Sequence, residues 1–215
     1  MTGDLRWDLT RATIGTATRV IAPLRVYGVE RVPHTGGLVV AFNHFSWLDP
    51  LAFGVASPRP IRFMAKAELH AVPVIGPFIR ALGTFSVRRG ESDREAVRLM
   101  RRLVADGEAV GLFVEGTRQR SGVPGAVKSG ASMAALQEDM PVVVGVIHGS
   151  QHWRLGRFDP VSVAWGEPIR FDGLPKNAKG YREASAEIQR EIRRLWGFLV
   201  DMHELGRPRV AVPPA

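Results

Sequence analysis

Short apolar runs alternate with segments of helical periodicity along most of this 215-residue chain. The run Leu38–Phe42 is wholly apolar and lies between turn-forming residues, which is typical of a buried strand. Residues 93–105 place their apolar side chains at helical spacing, with arginines on the opposite face. Strands that alternate with helices predict an α/β fold: a single domain with a mixed, largely parallel sheet flanked by helices.

The same patterns set the expected elements and boundaries. Further strands are predicted at 25–32, 61–65, 84–87, 109–114, 141–147 and 161–165, and further helices at 5–22, 49–55, 129–137 and 181–202. The chain divides into an N-terminal amphipathic helix at 1–24, a main domain at 25–205 and a Pro-rich, loose tail at 206–215.

Composition narrows the class of protein. With 45% hydrophobic and 23% charged residues, the chain suits one globular domain with a real core. The lack of cysteine excludes disulfides, thiolate metal sites and a cysteine nucleophile. A net charge of +8 favours an anionic partner, either nucleic acid, an anionic membrane or a phosphorylated substrate. We expect no nucleic acid, because the chain lacks a recognition motif and basic residues interleaved with aromatic ones.

The N-terminal helix has two interpretations. Arginine and aromatic residues are spaced along a moderately apolar segment, as in helices that lie in a lipid interface. A helix packed on the domain fits the pattern equally well. No stretch reaches the roughly 20 apolar residues that a membrane span needs, and the first residues lack the basic start of a signal peptide.

His44 and Asp49 follow the apolar run directly, in Asn43-His44-Phe45-Ser46-Trp47-Leu48-Asp49-Pro50. A histidine that abstracts a proton needs a partner to fix its tautomer and stabilise its charged form, and a nearby aspartate does both. The alternative is that Asp49 is only the N-cap of a helix whose first residue is Pro50.

Two more polar clusters follow predicted strands, Arg88-Arg89 and Glu115-Gly116-Thr117-Arg118. In open α/β sheets, sites gather outside the carboxyl ends of strands, so neighbouring strands would bring these clusters to one cleft beside His44. Cations beside a histidine base suit a substrate that carries phosphate. The alternatives without a functional role are that Arg88 and Arg89 are a solvated loop pair and that Glu115 and Arg118 form a surface ion pair.

No metal site is expected. Four of the histidines, His70, His148, His152 and His203, are scattered without ligand spacing. The chain also lacks a GxSxG elbow, a P-loop and a GxGxxG loop.

With these residues in view, the chain resembles the glycerolipid acyltransferase family, which includes 1-acyl-sn-glycerol-3-phosphate acyltransferase, over roughly residues 25–200. The matching blocks are Asn43-His44-x4-Asp49 (the HX4D motif), Lys66-Ala67-Glu68-Leu69, Gly83 to Arg89, Phe113 to Arg118, Lys128-x-Gly130 and Pro141 to Val146. Two departures stand out: Val114 replaces the usual proline before Glu115, and Gly145 stands where the family commonly has a second proline.

The resemblance implies an O-acyltransferase of phospholipid biosynthesis with His44 as general base and Asp49 as its partner. It implies substrate binding by Lys66, Arg89, Glu115, Gly116, Thr117 and Arg118. The acyl group would move from acyl-CoA or acyl carrier protein to the hydroxyl of a lysophospholipid, most simply 1-acylglycerol-3-phosphate, to give phosphatidic acid. No cofactor or metal is implied.

Lipid substrates imply that the protein works at an anionic membrane surface, as a peripheral or monotopic protein on the cytoplasmic face of the cell membrane. The same positive surface would also suit an acidic acyl carrier protein. Two alternatives stay open: the same chemistry on another lysophospholipid or a glycolipid, and a non-catalytic basic membrane-binding protein that kept the fold.

Overall fold

The computed structural model of the protein describes residues 15, 16, 18, 20–73, 75–81, 83–87 and 93–214. The helix predicted over 5–22 falls largely outside this part, although residues 15, 16, 18, 20 and 21 are helical. None of the helices in the described part of the chain combines the length and apolar character that a bilayer crossing needs.

Strands and helices alternate along the described chain, as the sequence predicts. The strands are β1 (Leu24–Tyr27), β2 (Leu38–Phe42), β3 (Ile61–Lys66), β4 (Phe85–Val87), β5 (Ala109–Phe113), β6 (Val142–His148) and β7 (Val161–Trp165). The helices are α1 (Asp49–Ala56), α2 (Ala67–Ala71), α3 (Ile75–Ala81), α4 (Asp93–Ala105), α5 (Gly130–Glu138) and α6 (Ala178–Glu204), and a short 3-10 helix covers Val29–Arg31.

All seven strands form one sheet, in the order β1-β7-β6-β2-β5-β3-β4. The strands β6, β2, β5, β3 and β4 run parallel to one another. β7 runs antiparallel to β6, and β1 runs parallel to β7. The prediction of one α/β domain with a mixed, largely parallel sheet is therefore confirmed, and the carboxyl ends of the five parallel strands share one edge.

The central strand β2 is buried on both faces, because its side chains alternate between two apolar layers. Val39 and Ala41 join the layer that contains residues of α4, α5 and α6. Leu38, Val40 and Phe42 join the opposite layer, with residues of α1. This is why the sequence of β2 reads as a continuous apolar run rather than an alternating one.

Phe42 fills space that two glycines leave open on the neighbouring strands. A Cβ atom on Gly145 of β6 would lie 2.6 Å from the Phe42 ring, and one on Gly111 of β5 would lie 2.9 Å from it. The ring also packs against Phe53 of α1, with ring centroids 4.0 Å apart. Gly145, which departs from the family's usual proline, thus makes room for the last residue before the Asn43-His44 pair.

The expectation of a loose tail is wrong. Arg31 donates hydrogen bonds to the carbonyl oxygens of Pro213 (2.7 Å) and Pro214 (3.0 Å), and the Tyr27 hydroxyl donates to that of Pro208 (3.0 Å). Pro213 is buried. Proline restricts the unfolded chain, so ordering this segment costs less conformational entropy than its length suggests, and its carbonyls remain strong acceptors.

Replacing Gly145 tests the packing of Phe42. We expect Gly145→Ala to lower the free energy of unfolding by about 1–3 kcal/mol, because the added methyl group overpacks the ring. Gly54→Ala is the matched control, since a Cβ atom there meets nothing within 4 Å and Gly54 lies inside α1. That variant should be neutral or more stable by about 0.4–1 kcal/mol in urea titrations. Equal stabilities for the two variants would contradict this account of Phe42.

Candidate active site

The predicted site residues gather at the edge formed by the carboxyl ends of the parallel strands. His44 follows β2, and Glu115 to Arg118 follow the neighbouring strand β5. Lys66 is the last residue of β3, which lies beside β5 on the other side. Arg89 lies outside the described residues. The common edge that the sequence predicts is therefore present for the clusters after β2 and β5, and the Arg88-Arg89 cluster that follows β4 lies outside the described residues.

His44 and Asp49 are joined directly. The imidazole Nδ1 and the carboxylate Oδ2 are 2.8 Å apart, and Asp49 is fully buried while the His44 side chain keeps some exposure. A carboxylate oxygen that accepts a bond from Nδ1 places the ring proton on Nδ1 and leaves the lone pair on Nε2. The arrangement gives His44 a basic nitrogen on the side away from Asp49.

The His44 ring is also held from its face. It stacks on Phe113, the last residue of β5, with ring centroids 4.0 Å apart and planes 24° apart. This contact fixes the plane of the imidazole ring. The sequence alone does not predict Phe113 as a site residue, although Phe113 directly precedes Val114-Glu115 in a matched motif.

Asp49 is not an N-cap, so that interpretation is wrong. The N-cap residue of α1 is Leu48, and no side chain caps the helix. Instead Asp49 Oδ2 accepts bonds from the backbone N–H groups of Phe45 (2.6 Å) and Ser46 (2.8 Å), in the turn before the helix. Both donors bind the same oxygen that contacts His44.

Glu115 joins the two loops of the site through its carboxylate. Oε2 accepts from the backbone N–H of His44 and Oε1 from that of Gly125, each at 2.8 Å. The residue is 3% exposed. Burial raises the pKa of Glu115 to about 7; the two N–H bonds oppose this rise and the charge of Asp49 adds to it. The alternative of a surface ion pair between Glu115 and Arg118 is therefore wrong.

Two carboxylates thus occupy the three consecutive backbone N–H groups of the turn after β2. Glu115 takes the N–H of His44, and Asp49 takes those of Phe45 and Ser46. Groups engaged in this way are not free to stabilise a negative oxygen on a substrate. Any such donors must come from another part of the edge.

Asn43 anchors the same turn on its other side. Its side-chain amide donates to the carbonyl of Ile147 (3.0 Å) and accepts from the N–H of Ile147 (2.8 Å), which extends the pairing of β2 with β6 by one residue. The carbonyl of His44 accepts from the N–H of Gln119 (2.8 Å). Asn43 is part of the matched motif, yet its structural role could not be read without knowing that β6 is the neighbour of β2.

Gly116 makes room for a lysine. Its φ of 75° lies in the left-handed region, and a Cβ atom there would be 2.6 Å from Nζ of Lys128. Thr117, Arg118 and Lys128 are exposed. The loop after β5 therefore presents cationic side chains within the same loop system that Glu115 fastens to His44. Lys128 belongs to the matched Lys128-x-Gly130 motif, although the sequence alone does not predict it as a site residue.

Two other histidines lie next to each other, apart from this turn. The rings of His148, at the end of β6, and His203, in α6, are 4.3 Å apart. Burial lowers the pKa of each to about 4, helped for both by a neighbouring histidine. In the part of the chain that the structure describes, no group of three or more His, Asp or Glu residues could hold a metal ion.

The raised pKa of Glu115 predicts a pH dependence of stability. An ordinary glutamate releases its proton near pH 4.5, but the folded protein holds that of Glu115 to about pH 7. The unfolded chain therefore ionises first, so the wild type loses stability as the pH rises through this window, on the order of 2–3 kcal/mol.

Glu115→Gln removes the ionisation. Its stability relative to wild type should rise between pH 4.5 and pH 7 in urea titrations, on top of a constant cost for losing one acceptor. Glu204→Gln, at the exposed end of α6, is the control and should follow the wild-type pH profile. A parallel profile for Glu115→Gln would show that this carboxyl ionises normally.

The chain is similar to several known proteins. A family model described as Acyltransferase matches residues 23–148. The chain is 33% identical over 172 residues to the 1-acyl-sn-glycerol-3-phosphate acyltransferase of Bacillus subtilis, covering 76% of this chain and 85% of that protein. A protein of the same name from Borreliella burgdorferi is 25% identical over 60% of this chain, but the match covers only 52% of that relative.

A solved structure shares the fold. The crystal structure of the 1-acyl-sn-glycerophosphate (LPA) acyltransferase PlsC from Thermotoga maritima aligns with a TM-score of 0.70 and 24% identity, over 88% of this chain and 79% of that one. The family model spans more than half of the sequence, and the Bacillus relative is matched over most of its length. The chain therefore belongs to the acyltransferase family and is an O-acyltransferase.

Proposed function

We propose that the protein transfers a fatty acyl group from a thioester to the free hydroxyl of 1-acylglycerol-3-phosphate, giving phosphatidic acid. The observation that carries the proposal is the His44–Asp49 pair, at 2.8 Å, on the same strand edge as the cationic loop after β5. The relatives named above support the choice of acceptor, since their names specify 1-acyl-sn-glycerol-3-phosphate.

His44 acts as the general base. Its Nε2 takes the proton of the acceptor hydroxyl while that oxygen attacks the thioester carbonyl carbon, and the carbon–sulfur bond breaks as the tetrahedral intermediate collapses. The proton then passes from His44 to the departing thiolate, so the enzyme returns to its starting state. Asp49 holds the ring in the tautomer that this step needs and offsets the positive charge on the imidazolium.

The resemblance implies that Glu115 binds substrate, but its contacts support a positioning role without contact to substrate. Both of its oxygens are used by backbone N–H groups, and a carboxylate repels a phosphate. It fastens the cationic loop to the backbone of His44, which sets the distance between the phosphate and the base. Gly116 permits the approach of Lys128, while Arg118 and Lys128 bind the phosphate. By resemblance, Lys66, Arg89 and Thr117 complete this binding set.

The protein works on the cytoplasmic face of the membrane as a peripheral or monotopic protein. The net charge of +8 supports attraction to anionic lipid, and residues 1–24 supply the N-terminal contact. The acyl donor is acyl-CoA or acyl carrier protein, and an assay that offers each thioester separately distinguishes them.

Removing the imidazole tests the base. With an acyl thioester and lysophosphatidic acid, His44→Ala should lower kcat by roughly 10²–10⁴ as measured by thiol release. His34→Ala is the matched control, because His34 is exposed in the turn before β2, at the opposite end of that strand. Undiminished turnover by a folded His44→Ala protein would rule out His44 as the base.

Removing a cation tests the phosphate site. Arg118→Gln should raise the KM for lysophosphatidic acid roughly tenfold while leaving the KM for the thioester unchanged, because a charge-assisted bond to phosphate is lost. Arg120→Gln, an exposed arginine two residues further along, is the control. If both variants changed KM equally, the effect would be one of general charge and not of a specific contact.

A further inference from the structure

The loop between β6 and β7 exposes apolar side chains beside the turn that carries His44. Leu155 is 74% exposed and Phe158 is 54% exposed. Trp47, inside the His44–Asp49 turn, is 55% exposed. We call these three residues the apolar tip.

Direct contacts connect the loop to the His44–Asp49 turn. The ring of Trp47 meets that of Trp153 edge to face, with centroids 5.2 Å apart. Trp153 is itself buried, and its indole N–H donates to the carbonyl of Ile21 at 3.0 Å. The base of the loop is therefore fixed both to the turn after β2 and to the end of the N-terminal segment.

The backbone holds Leu155 outward. The N–H of Arg157 bonds to the carbonyl of Arg154 (3.1 Å), and Gly156 has a φ of 88°, so these residues form a tight turn with Leu155 at its outer corner. Phe158 follows with a φ of 54°, a conformation that a bulky side chain rarely adopts. Such strain is kept where the surrounding structure imposes it, commonly at functional positions.

Arginines flank the apolar side chains. Arg154 and Arg157 are both exposed on the two sides of Leu155. Apolar and aromatic residues next to arginines are the composition of segments that enter the boundary between lipid headgroups and acyl chains. An acidic protein partner would need the arginines but would gain little from an aliphatic side chain at the outermost corner of a turn.

We propose that the apolar tip inserts into the surface of an anionic lipid bilayer, with Arg154 and Arg157 on the headgroups. This inference rests on the proposed use of lipid substrates and names a membrane contact separate from residues 1–24. Because Trp47 lies in the His44–Asp49 turn, insertion brings that turn to the bilayer surface, so a lysolipid reaches His44 without crossing water.

Vesicle binding by the full chain tests the proposal. Leu155→Ser/Phe158→Ser should lower partitioning onto phosphatidylcholine vesicles containing phosphatidylglycerol by roughly tenfold or more, because two apolar anchors are lost. Val210→Ser/Val212→Ser is the matched control, since these valines of the C-terminal tail are at least as exposed as Leu155 and Phe158. Arg154→Gln/Arg157→Gln should weaken binding to these vesicles and leave binding to pure phosphatidylcholine unchanged.

Unchanged partitioning of a folded Leu155→Ser/Phe158→Ser protein overturns the proposal. So does an arginine variant that loses affinity for an acidic acyl carrier protein while vesicle binding stays intact, because the loop would then dock a protein. Turnover on detergent-dispersed substrate is measured in parallel. If the Leu155→Ser/Phe158→Ser protein loses vesicle binding but keeps this turnover, the inference is supported. If the wild type shows no turnover while its vesicle binding still depends on the apolar tip, only the proposed function is overturned.

Discussion

The packing of Phe42 between two glycines is the constraint on which the site depends. A full-sized side chain at Gly111 or Gly145 would displace the ring from its place on the face of the three central strands. The residues directly after Phe42 leave the sheet from this fixed point, so the position of Asn43 and His44 follows from the packing beneath them. Interiors packed at crystal-like density transmit such displacements rather than absorbing them.

The turn that follows is organised by two buried carboxylates with different partners. Asp49 serves the imidazole and two backbone amides with one oxygen, while Glu115 spans two loops with both of its oxygens. One carboxylate thus orients the base, and the other fixes the loop that faces it. Burying the Glu115 carboxylate is unfavourable, as its raised pKa of about 7 indicates. The burial is needed because this carboxylate connects the cationic loop to the backbone of His44.

The sequence predicts the structural features that depend on residues close together along the chain. The bounds of β2 and of α4 match the predicted ranges, because a continuous apolar run and a clean amphipathic repeat leave little choice. The contact between His44 and Asp49 was also predictable, since only four residues lie between them. The bonds from the N–H groups of Phe45 and Ser46 to Asp49 could not be predicted. An aspartate that caps a helix and one that closes the preceding turn occupy nearly the same position in a sequence.

Long-range pairings could not be read from the sequence. The pairing of β1 with β7, the pairing of Asn43 with Ile147 and the docking of the tail each join segments more than a hundred residues apart. Arg89, the side chain of Lys66 and most of the N-terminal helix fall outside what the structure describes, so their assigned roles remain predictions.

The docked tail has a consequence for how the chain acquires its structure. β1 pairs with β7, and Tyr27 and Arg31 bond to carbonyls 181–183 residues further along. As the chain leaves the ribosome, β1 therefore has no partner strand until β7 has been made. Contacts of such sequence separation form slowly. The segment around β1 is expected to fold late, and until then it stays accessible to chaperones.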